Sequence, residues 1–523
     1  MFYEPQQISL SLSDRQILNP LKRIVSLECE IPFYYGNIER FLREIGREHG
    51  WLINETKMGD VEVWSQLGRT YHDRETLEIA YPECRVLDCI HNHFLLWFYV
   101  RYLERKMEEF YSSVDLHRKL PLISYPCVLN LKGRPVGGES TKFWGHHLNA
   151  STYSQRVLKE LPEICYQNSP FFKLLATLVI FNSPILTVSN NQPLTLLCSK
   201  ASTVKSISSY NAKDSLMKNP MFAENGKYPH VILHFNFFHF NYLAFNVLLT
   251  RFALSCLLTL LEAGDLPLLK NDLFENDPVQ ILKKIANQGV GIFESEERQN
   301  DDFLIIDLAE AHFEVIRRIK RLGFSSQIDP FLRLWEFVIE CLTKKDSEAL
   351  LYILDTPYML HMEKIFNESE VGGIASNEPA YNLFDVSVNL GTLPRPLDLE
   401  LYELLKVVET GKTPEDLGLN RRAIEIYKYF LDLFKLRDPF NYWISVFRRP
   451  ELPKFEDIQG IFAPRHRARV RCMQDLFEKR LIVIDASWGY FTVQSGDCRI
   501  FEIRLNDPDR ELIIYPKSLK PEF

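Results

Sequence analysis

Residues 230–261 form a long apolar stretch that constrains the fold of this chain more than any other segment. The stretch is long enough to reach across a membrane, but histidine, asparagine and arginine side chains interrupt it, and such residues are costly in hydrocarbon. We therefore expect a buried strand over Tyr228–Phe238, then a buried helix over Leu243–Ala263, and no membrane contact.

The bulk composition is typical of a globular protein and excludes several classes. Of the 523 residues, 46% are hydrophobic and 25% are charged, and the net charge of -8 argues against nucleic acid as the main partner. The 10 cysteines contain no Cys-x-x-Cys pair, which favours reduced thiols and a cytoplasmic location. The first residues lack the pattern of a secretion signal, so we expect no export.

The order of patterns predicts an α+β protein with two parts. Strand and helix patterns mix up to about residue 400, and a helical section follows that ends near Phe447. Short alternating segments near the C-terminus then predict strands. We expect a catalytic domain over 1–400 and a helical, then β-containing, C-terminal domain over 401–523.

Two glutamates interrupt an early apolar strand. Glu28 and Glu30 lie two residues apart in Ile24–Pro32, so their carboxylates project from one face and repel each other unless a cation lies between them. Magnesium prefers such oxygen ligands and often shares them with nucleotide phosphates. The alternative is a pair of surface glutamates on an edge strand.

A second acidic group follows in residues 71–85. Asp73, Glu78 and Glu83 interrupt an otherwise apolar and aromatic segment. An unbroken strand would place Glu78 and Glu83 on opposite faces, and a bend at Pro82 is a candidate for bringing them together. Solvent-facing acids on a half-buried strand are the alternative.

Histidines offer a different reading of the metal chemistry. His91, His93, His146 and His147 are imidazoles of the kind that bind zinc. His91 and His93 lie at a predicted helix start, where one helical face would not hold both, and this argues against a zinc site.

Five segments, taken in order along the chain, resemble the Pup ligase and depupylase family. They are LECE at 27–30, YHDRETLEIAYPECR at 71–85, WGHHLN at 144–149, NAKD at 211–214 and YPHVIL at 228–233. The catalytic domain of that family is similar to glutamine synthetase. The resemblance spans about residues 22–395 and implies a curved antiparallel sheet, flanked by helices, that holds ATP and magnesium.

The resemblance also implies roles for individual residues. Metal ligands would be the strand-face glutamates, Glu28, Glu30, Glu78 and Glu83. Asp73 matches the catalytic aspartate, acting as a base on an incoming lysine or as a nucleophile or water activator at an amide. Residues near the metals or the nucleotide would be His147, Asn149, Lys213 and His230. Taken alone, His147 could be a core histidine, His230 a strand-end residue and Asp73 a turn cap.

Several positions depart from the family pattern. Lys213 replaces the usual arginine, which keeps the charge but loses the bidentate fork. Leu148 replaces a glutamate after His147, His234 and Phe235 replace a Gly-Asp pair, and Leu390 replaces an aspartate. These changes remove carboxylates from the expected pocket and indicate a divergent member.

A basic stretch follows near the C-terminus. Arg465, His466, Arg467, Arg469 and Arg471 fall within a short segment. Such a cluster suits an acidic partner, such as the tail of a small modifier protein, but a solvated helical face is the interpretation that we favour.

The leading hypothesis is an ATP- and magnesium-dependent enzyme that forms or hydrolyses an amide or isopeptide bond at a glutamate or glutamine side chain of a protein or peptide. Phosphorylation of a carboxylate would make it a good acyl donor. The alternatives are a small-molecule carboxylate-amine ligase and a catalytically reduced member that binds or regulates.

Overall fold

A computed structural model provides the structure of the chain. Described residues are 12–32, 38–55, 61–73, 76–112, 146–152, 169–181, 185–189, 192–196, 204–209, 215–218, 231–238, 241–288, 301–358, 360–361, 396–449, 451–479, 481–486, 490–494, 499–505 and 513. At some positions inside these ranges, including Glu30 and Asp73, only the backbone is described.

One large, open sheet organises the described part of the protein. Its strands are β1 (Ile24–Pro32), β2 (Leu52–Glu55), β3 (Val61–Ser65), β4 (Gly68–Asp73), β5 (Thr76–Ala80), β6 (Cys84–Arg85), β7 (His146–Thr152), β10 (Ser206–Ser209), β11 (Ser215–Lys218) and β12 (Val231–Phe238). They lie in the order β10-β11-β12-β7-β1-β5-β4-β3-β2, while β6 pairs with the start of β1. The pairs are antiparallel except for β10 with β11, as the expected α+β class requires.

The remaining described strands form two smaller sheets. A hairpin consists of β8 (Ile185–Ser189) and β9 (Gln192–Leu196). Near the C-terminus, β13 (Ile482–Ala486), β14 (Tyr490–Gln494) and β15 (Ile500–Arg504) form a three-stranded antiparallel sheet. The sequence patterns predicted these last three strands, and a fourth predicted over residues 511–516 lies outside the described strands.

Helices cover the sheet and fill the middle of the chain. They are α1 (Leu12–Ile17), α2 (Ile38–His49), α3 (Cys89–Ser112), α4 (Pro170–Thr177), α5 (Ala244–Ala263), α6 (Asp272–Glu275), α7 (Pro278–Gln288), α8 (Asp301–Arg321), α9 (Asp329–Thr343), α10 (Leu397–Glu409), α11 (Arg421–Leu433), α12 (Arg437–Phe447), α13 (Phe455–Ile458) and α14 (Pro464–Glu478). The helix α2 lies against β2 to β4, and α5 packs against α3, α4, α8 and α9.

The central helix α5 is buried on every side. Residues from Ala244 to Glu262 are all buried, because other helices and the sheet surround it. Within the described residues it is the one helix long and apolar enough to cross a membrane, yet that window is 100% buried inside the protein. The predicted order of a strand and a buried helix is therefore confirmed, although β12 is buried at Leu233, Phe235 and Asn236 and only half-buried at Ile232 and His234.

The two faces of the sheet have opposite character. Leu27, Ile79 and Leu148 point to the helical side and are buried in the main core. Side chains alternate along a strand, so their neighbours Glu28, Glu78 and His147 project from the other face. The large sheet thus has an apolar side and a polar side, and the helices occupy the former.

One side of the C-terminal helix α14 is buried, which contradicts both interpretations for most of its basic stretch. Arg465, His466 and Arg469 are buried, with His466 and Arg469 fully so, and Arg471 is exposed. Arg467 is half-buried and donates from Nη1 to the Phe462 carbonyl at 2.6 Å. Neither a solvated face nor a free docking surface describes this segment, because it lies between the large sheet and the three-stranded sheet.

The helical section after residue 396 packs on the same core as the earlier part. Phe245 of α5 contacts Tyr427 with ring centroids 5.5 Å apart, and Phe94 of α3 contacts Phe440 at 5.0 Å. One connected group of buried side chains contains all four residues. The boundary predicted at residue 400 stays a prediction, since shared packing alone does not define a domain.

A buried ion pair joins the start of β1 to the end of α5. Arg23 Nη2 lies 2.7 Å from Glu262 Oε2, and both side chains are fully buried. Arg23 also donates to Ser255, Thr259 and the Ser151 carbonyl of β7. Its donors are well satisfied, which is the condition under which a buried charge is tolerated.

We expect Glu262→Gln to lower the free energy of unfolding by about 3 to 5 kcal/mol, because the substitution leaves the Arg23 charge buried without its counter-ion. Urea denaturation followed by circular dichroism measures this change. The exposed pair Arg40–Glu44 supplies a matched control, and Glu44→Gln should change stability by no more than about 0.5 kcal/mol. Equal effects of the two variants would contradict the prediction.

Candidate functional site

Register places the predicted acidic residues of β1 and β5 side by side. Glu30 is the direct cross-strand partner of Glu78, and Glu28 pairs with Ala80, two residues along β5. Cross-strand partners share a face, so Glu28 and Glu78 project together from the polar side, and the backbone places Glu30 on the same face. The structure thus brings together Glu28 and Glu78, and the backbone register alone relates Glu30 to them.

A tyrosine hydroxyl lies between two of these carboxylates. Tyr71 of β4 is the cross-strand partner of Glu78, and its Oη is within hydrogen-bond distance of both Glu28 Oε1 and Glu78 Oε2. A phenol has a single hydrogen, so it can donate to one carboxylate only. The second oxygen contact requires another proton or a cation.

These three oxygens fit a hard divalent cation. Carboxylate and phenol oxygens are the donor type that magnesium accepts, and the second contact lacks a phenol hydrogen. Among the residues whose side chains the structure describes, no group of three or more His, Cys, Asp or Glu is arranged for a metal. The role of Glu28 and Glu78 as metal ligands stays a prediction, in which other groups, such as nucleotide phosphates, would complete the site.

Burial raises the pKa of the Tyr71 phenol well above 10.0, and the negative charges of Glu28 and Glu78 raise it further. The phenol therefore keeps its hydrogen at neutral pH. The Arg69 guanidinium opposes this effect from the neighbouring position on the same face.

Arg69 lies in a cage of aromatic and acidic side chains. Its guanidinium carbon is 3.9 Å from the centre of the Tyr71 ring and 5.5 Å from the centre of the Trp64 ring. Arg69 also forms an ion pair with Glu62. Burial alone would lower the pKa of Arg69, but the pKa is raised because Tyr71, Glu62 and Glu28 favour the charged form. A permanent positive charge therefore lies beside the carboxylates.

The imidazole predicted at the site lies next to Glu28. His147 of β7 is the cross-strand partner of Glu28, and Asn149 follows on the same face, opposite Ser26. Across the next strand, His234 Nδ1 is 2.8 Å from Asn149 Oδ1, and the rings of His147 and His234 are 4.5 Å apart. Together these side chains extend the polar face from β5 to β12.

Glu83 does not join the other acids. Its Oε2 accepts from Arg465 Nε at 3.0 Å, and its Oε1 accepts from Arg465 Nη2. The chain leaves the ladder after Ala80, so the bend expected near Pro82 exists, but it directs Glu83 towards α14. The metal role of Glu83 stays a prediction, and in this structure Arg465 binds both of its carboxylate oxygens.

The structure describes only the backbone of Asp73 and does not describe the remaining predicted residues. Asp73 ends β4 opposite Thr76, and alternation from Tyr71 places it on the polar face. Lys213, His230 and Leu390 lie outside the described residues. Their predicted contributions to the site therefore stay predictions.

Two of the departures from the family pattern lie on the opposite side of the sheet. Leu148 and Phe235 are cross-strand partners, 2% and 0% exposed, and both belong to the apolar core. The expectation that they remove carboxylates from the pocket is wrong for these two positions, because neither side chain reaches the polar face. Among the departures at described residues, His234 is the one that changes the polar face.

The zinc interpretation gains no support. His91 Nδ1 accepts from Trp443 Nε1 at 3.0 Å, and His93 Nε2 binds the Tyr242 carbonyl at 3.2 Å. Burial lowers the pKa of His93 to about 3. These are packed core histidines, while His147 lies on the sheet beside Glu28.

Sequence reasoning missed Tyr71, Arg69 and Glu62. The available signal was alternation: Arg69, Tyr71 and Asp73 are two residues apart, so one strand would present all three on one face. Glu62 had no such signal, because its link to Arg69 depends on the pairing of β3 with β4.

Solved structures define the class of the fold, whereas no protein-family model and no curated protein matches the chain. The open sheet, the helical layer and the C-terminal strands have the same fold as the Pup ligase PafA. The Pup ligase PafA, solved in complex with the prokaryotic ubiquitin-like protein Pup, matches with a TM-score of 0.57 and 14% identity over 94% of this chain and 90% of that chain.

PafA in complex with ADP matches with a TM-score of 0.54 and 13% identity over 92% of each chain. A bifunctional glutathione synthetase from Pasteurella multocida reaches a TM-score of only 0.36 at 10% identity, covering 94% of this chain and 60% of that chain, and carries no weight. The likeness predicted from the sequence is therefore confirmed at the level of the fold.

We expect Glu83→Gln to lower stability at neutral pH by about 3 to 5 kcal/mol, because Arg465 loses its buried counter-ion. Burial raises the pKa of Glu83, but Arg465 outweighs this, so the folded pKa lies below the ordinary 4.5. The stabilisation is thus present above pH 4.5 and is lost as the pH falls through the folded value. The stability gap between parent and variant, measured by urea denaturation, should narrow in acid. A gap independent of pH would contradict this assignment.

Proposed function

We propose that the protein is an ATP- and magnesium-dependent enzyme that forms or hydrolyses an amide or isopeptide bond at a glutamate or glutamine side chain of a protein or peptide. The convergence of Glu28, Glu78 and the Tyr71 hydroxyl on the polar face carries the proposal. This arrangement occurs in a chain with the fold of PafA, for which complexes with Pup and with ADP exist.

In this proposal the polar face binds the nucleotide and its metal. Glu28 and Glu78, with Glu30 beside them, hold magnesium, which when bound offsets the charge of the phosphates. Arg69, enclosed by the Tyr71 and Trp64 rings, cannot swing away and presents a fixed positive charge. We assign nucleotide contacts to His147 and Asn149 on β7, and to Lys213 and His230.

Asp73 is the proposed proton acceptor. In the ligase direction, phosphoryl transfer to a glutamate carboxylate gives ADP and an acyl phosphate. A lysine amine then attacks, phosphate leaves, and the amine proton passes to Asp73. In the hydrolytic direction Asp73 attacks the side-chain amide or activates water. Its place at the end of β4, on the face that carries Tyr71, supports either role.

The proposed partner is a small protein modifier or a peptide, and the proposed location is the cytoplasm. Support for the partner comes from the complex of PafA with Pup. Support for the location comes from Cys84, Cys89, Cys256, Cys341 and Cys472, which are free and buried.

We expect the parent protein to bind ATP only with magnesium, and Glu28→Gln and Glu78→Gln to weaken that binding by at least about tenfold, because each loses a charged metal ligand. Isothermal titration calorimetry with and without magnesium measures both effects. Each substitution also removes like-charge repulsion, so the metal-free variants should melt no lower than the parent.

Glu44→Gln, on the exposed side of α2, is the matched control and should bind like the parent. If the parent shows no metal-dependent binding, the enzyme proposal is wrong and the catalytically reduced alternative replaces it. If turnover occurs with free glutamate and no peptide, the small-molecule ligase alternative replaces the proposed substrate class.

We expect Asp73→Asn to reduce turnover by about 100-fold or more while leaving magnesium-ATP affinity within about twofold, because a base acts on the proton and not on the nucleotide. Two assays cover the two directions: ADP release with a glutamate-bearing peptide and lysine, and hydrolysis of a side-chain amide. Full activity of Asp73→Asn in the direction that the parent catalyses would remove Asp73 from the mechanism.

A further inference from the structure

A continuous series of side-chain contacts leads from the C-terminal helix α14 to the carboxylates of the candidate site. The series begins at Glu83, where α14 is attached to the sheet. It passes through Arg469 and Trp64 and ends at Arg69 and Tyr71. Every contact in it lies between described residues, and none involves the residues expected to react.

The attachment of α14 fixes the helix start in position. The Glu83 carbonyl accepts from Ala463 N at 2.6 Å, and Cys84 forms a backbone bridge with Phe462. Arg465, one residue into α14, binds the Glu83 carboxylate with two donors. These contacts leave the first turn of the helix little freedom to shift against the sheet.

The next contact stacks two guanidinium groups against one indole. Arg469 is one turn after Arg465, and its guanidinium carbon lies 5.5 Å from the centre of the Trp64 ring. The guanidinium carbon of Arg69 lies at the same distance from that ring. Trp64 Nε1 donates to Glu62 Oε2 at 3.3 Å, and Glu62 also binds Arg69, so Glu62 links the Trp64 ring to Arg69.

The last contact reaches the site itself. Arg69 stacks on the Tyr71 ring at 3.9 Å, and the Tyr71 hydroxyl binds Glu28 and Glu78. A displacement of Trp64 would therefore move Arg69, and Arg69 would move the phenol between the two carboxylates. Packed side chains transmit such shifts because the interior has little free volume.

Attachment of α14 to the sheet does not by itself require an arginine at position 469. Apolar residues of similar volume often stabilise a buried position as well as a charge does, or better. Burial lowers the pKa of Arg469, which shows the cost of keeping its charge there. The neighbouring side chains Ala468 and Cys472 already attach α14 to Trp64 by apolar contact. The Arg469 guanidinium lies over the Trp64 ring, and the Glu83 carboxylate favours its charged form.

We propose that Arg469 is a positioning residue for the nucleotide site: through Trp64 it fixes Arg69, and through Arg69 it fixes the Tyr71 hydroxyl between Glu28 and Glu78. The inference rests on the proposed function. It makes the C-terminal segment a part of the site, although that segment contributes no group that touches nucleotide or metal.

The test compares Arg469→Met, Arg469→Lys and a structural control in the full chain. Leu476→Val removes one methylene from the same helix and the same apolar cluster without touching the contact series. Thermal unfolding of each variant is measured first, and magnesium-ATP affinity is then measured by calorimetry well below the lowest melting temperature.

Arg469→Met should weaken magnesium-ATP binding by about five- to tenfold, the effect of losing one buried cation–π contact. Arg469→Lys keeps the cation over the ring and should recover most of that loss, and Leu476→Val should bind like the parent.

Equal affinities of Arg469→Met and the parent for magnesium-ATP would overturn the inference and leave the proposed function intact. If Leu476→Val weakens magnesium-ATP binding as much as Arg469→Met does, the role of Arg469 is structural only. No binding by the parent would overturn both proposals.

Discussion

The geometry of the sheet depends on the buried ion pair between Arg23 and Glu262. Arg23 directly precedes the central strand β1, and its guanidinium binds both the end of α5 and the Ser151 carbonyl of β7. Ile24 N in turn donates to the Ser151 hydroxyl. These contacts set the register of β1 against β7. A slip of one residue would turn Glu28 into the apolar core, so the polar face exists only in this register.

With the register fixed, the polar face brings carboxylate and phenol oxygens close together. Two carboxylates share a single phenol hydrogen at Tyr71, and burial raises the pKa of that phenol well above 10.0, so the hydrogen is retained. A cation resolves the remaining contact between like charges. The same residues support the proposed metal-dependent nucleotide chemistry on this face, whereas Leu148 and Phe235 lie in the apolar core on the other face.

The C-terminal segment has a different relation to the site from the one its composition indicated. Two of its arginines do not face solvent, since Glu83 binds Arg465 and the Trp64 ring contacts Arg469 inside the protein, whereas Arg471 is exposed. Arg469 keeps its positive charge in a buried position, beside the apolar side chains that pack α14 against Trp64. The series of contacts from α14 to Tyr71 gives that charge a function, because position is transmitted along stacked planar groups that have few alternative arrangements.

The sequence by itself determined the α+β class, the strand and buried helix at 231–263, the acidic residues of β1 and β5, and the likeness to Pup ligases. These features follow from periodicity and order along the chain, which are local properties. The tertiary structure alone decided that Tyr71 joins Glu28 and Glu78, that Glu83 binds Arg465, and that the basic helix is buried. Each of these depends on the pairing of segments far apart in the chain, and neither spacing nor composition specifies which distant partner a charged side chain meets.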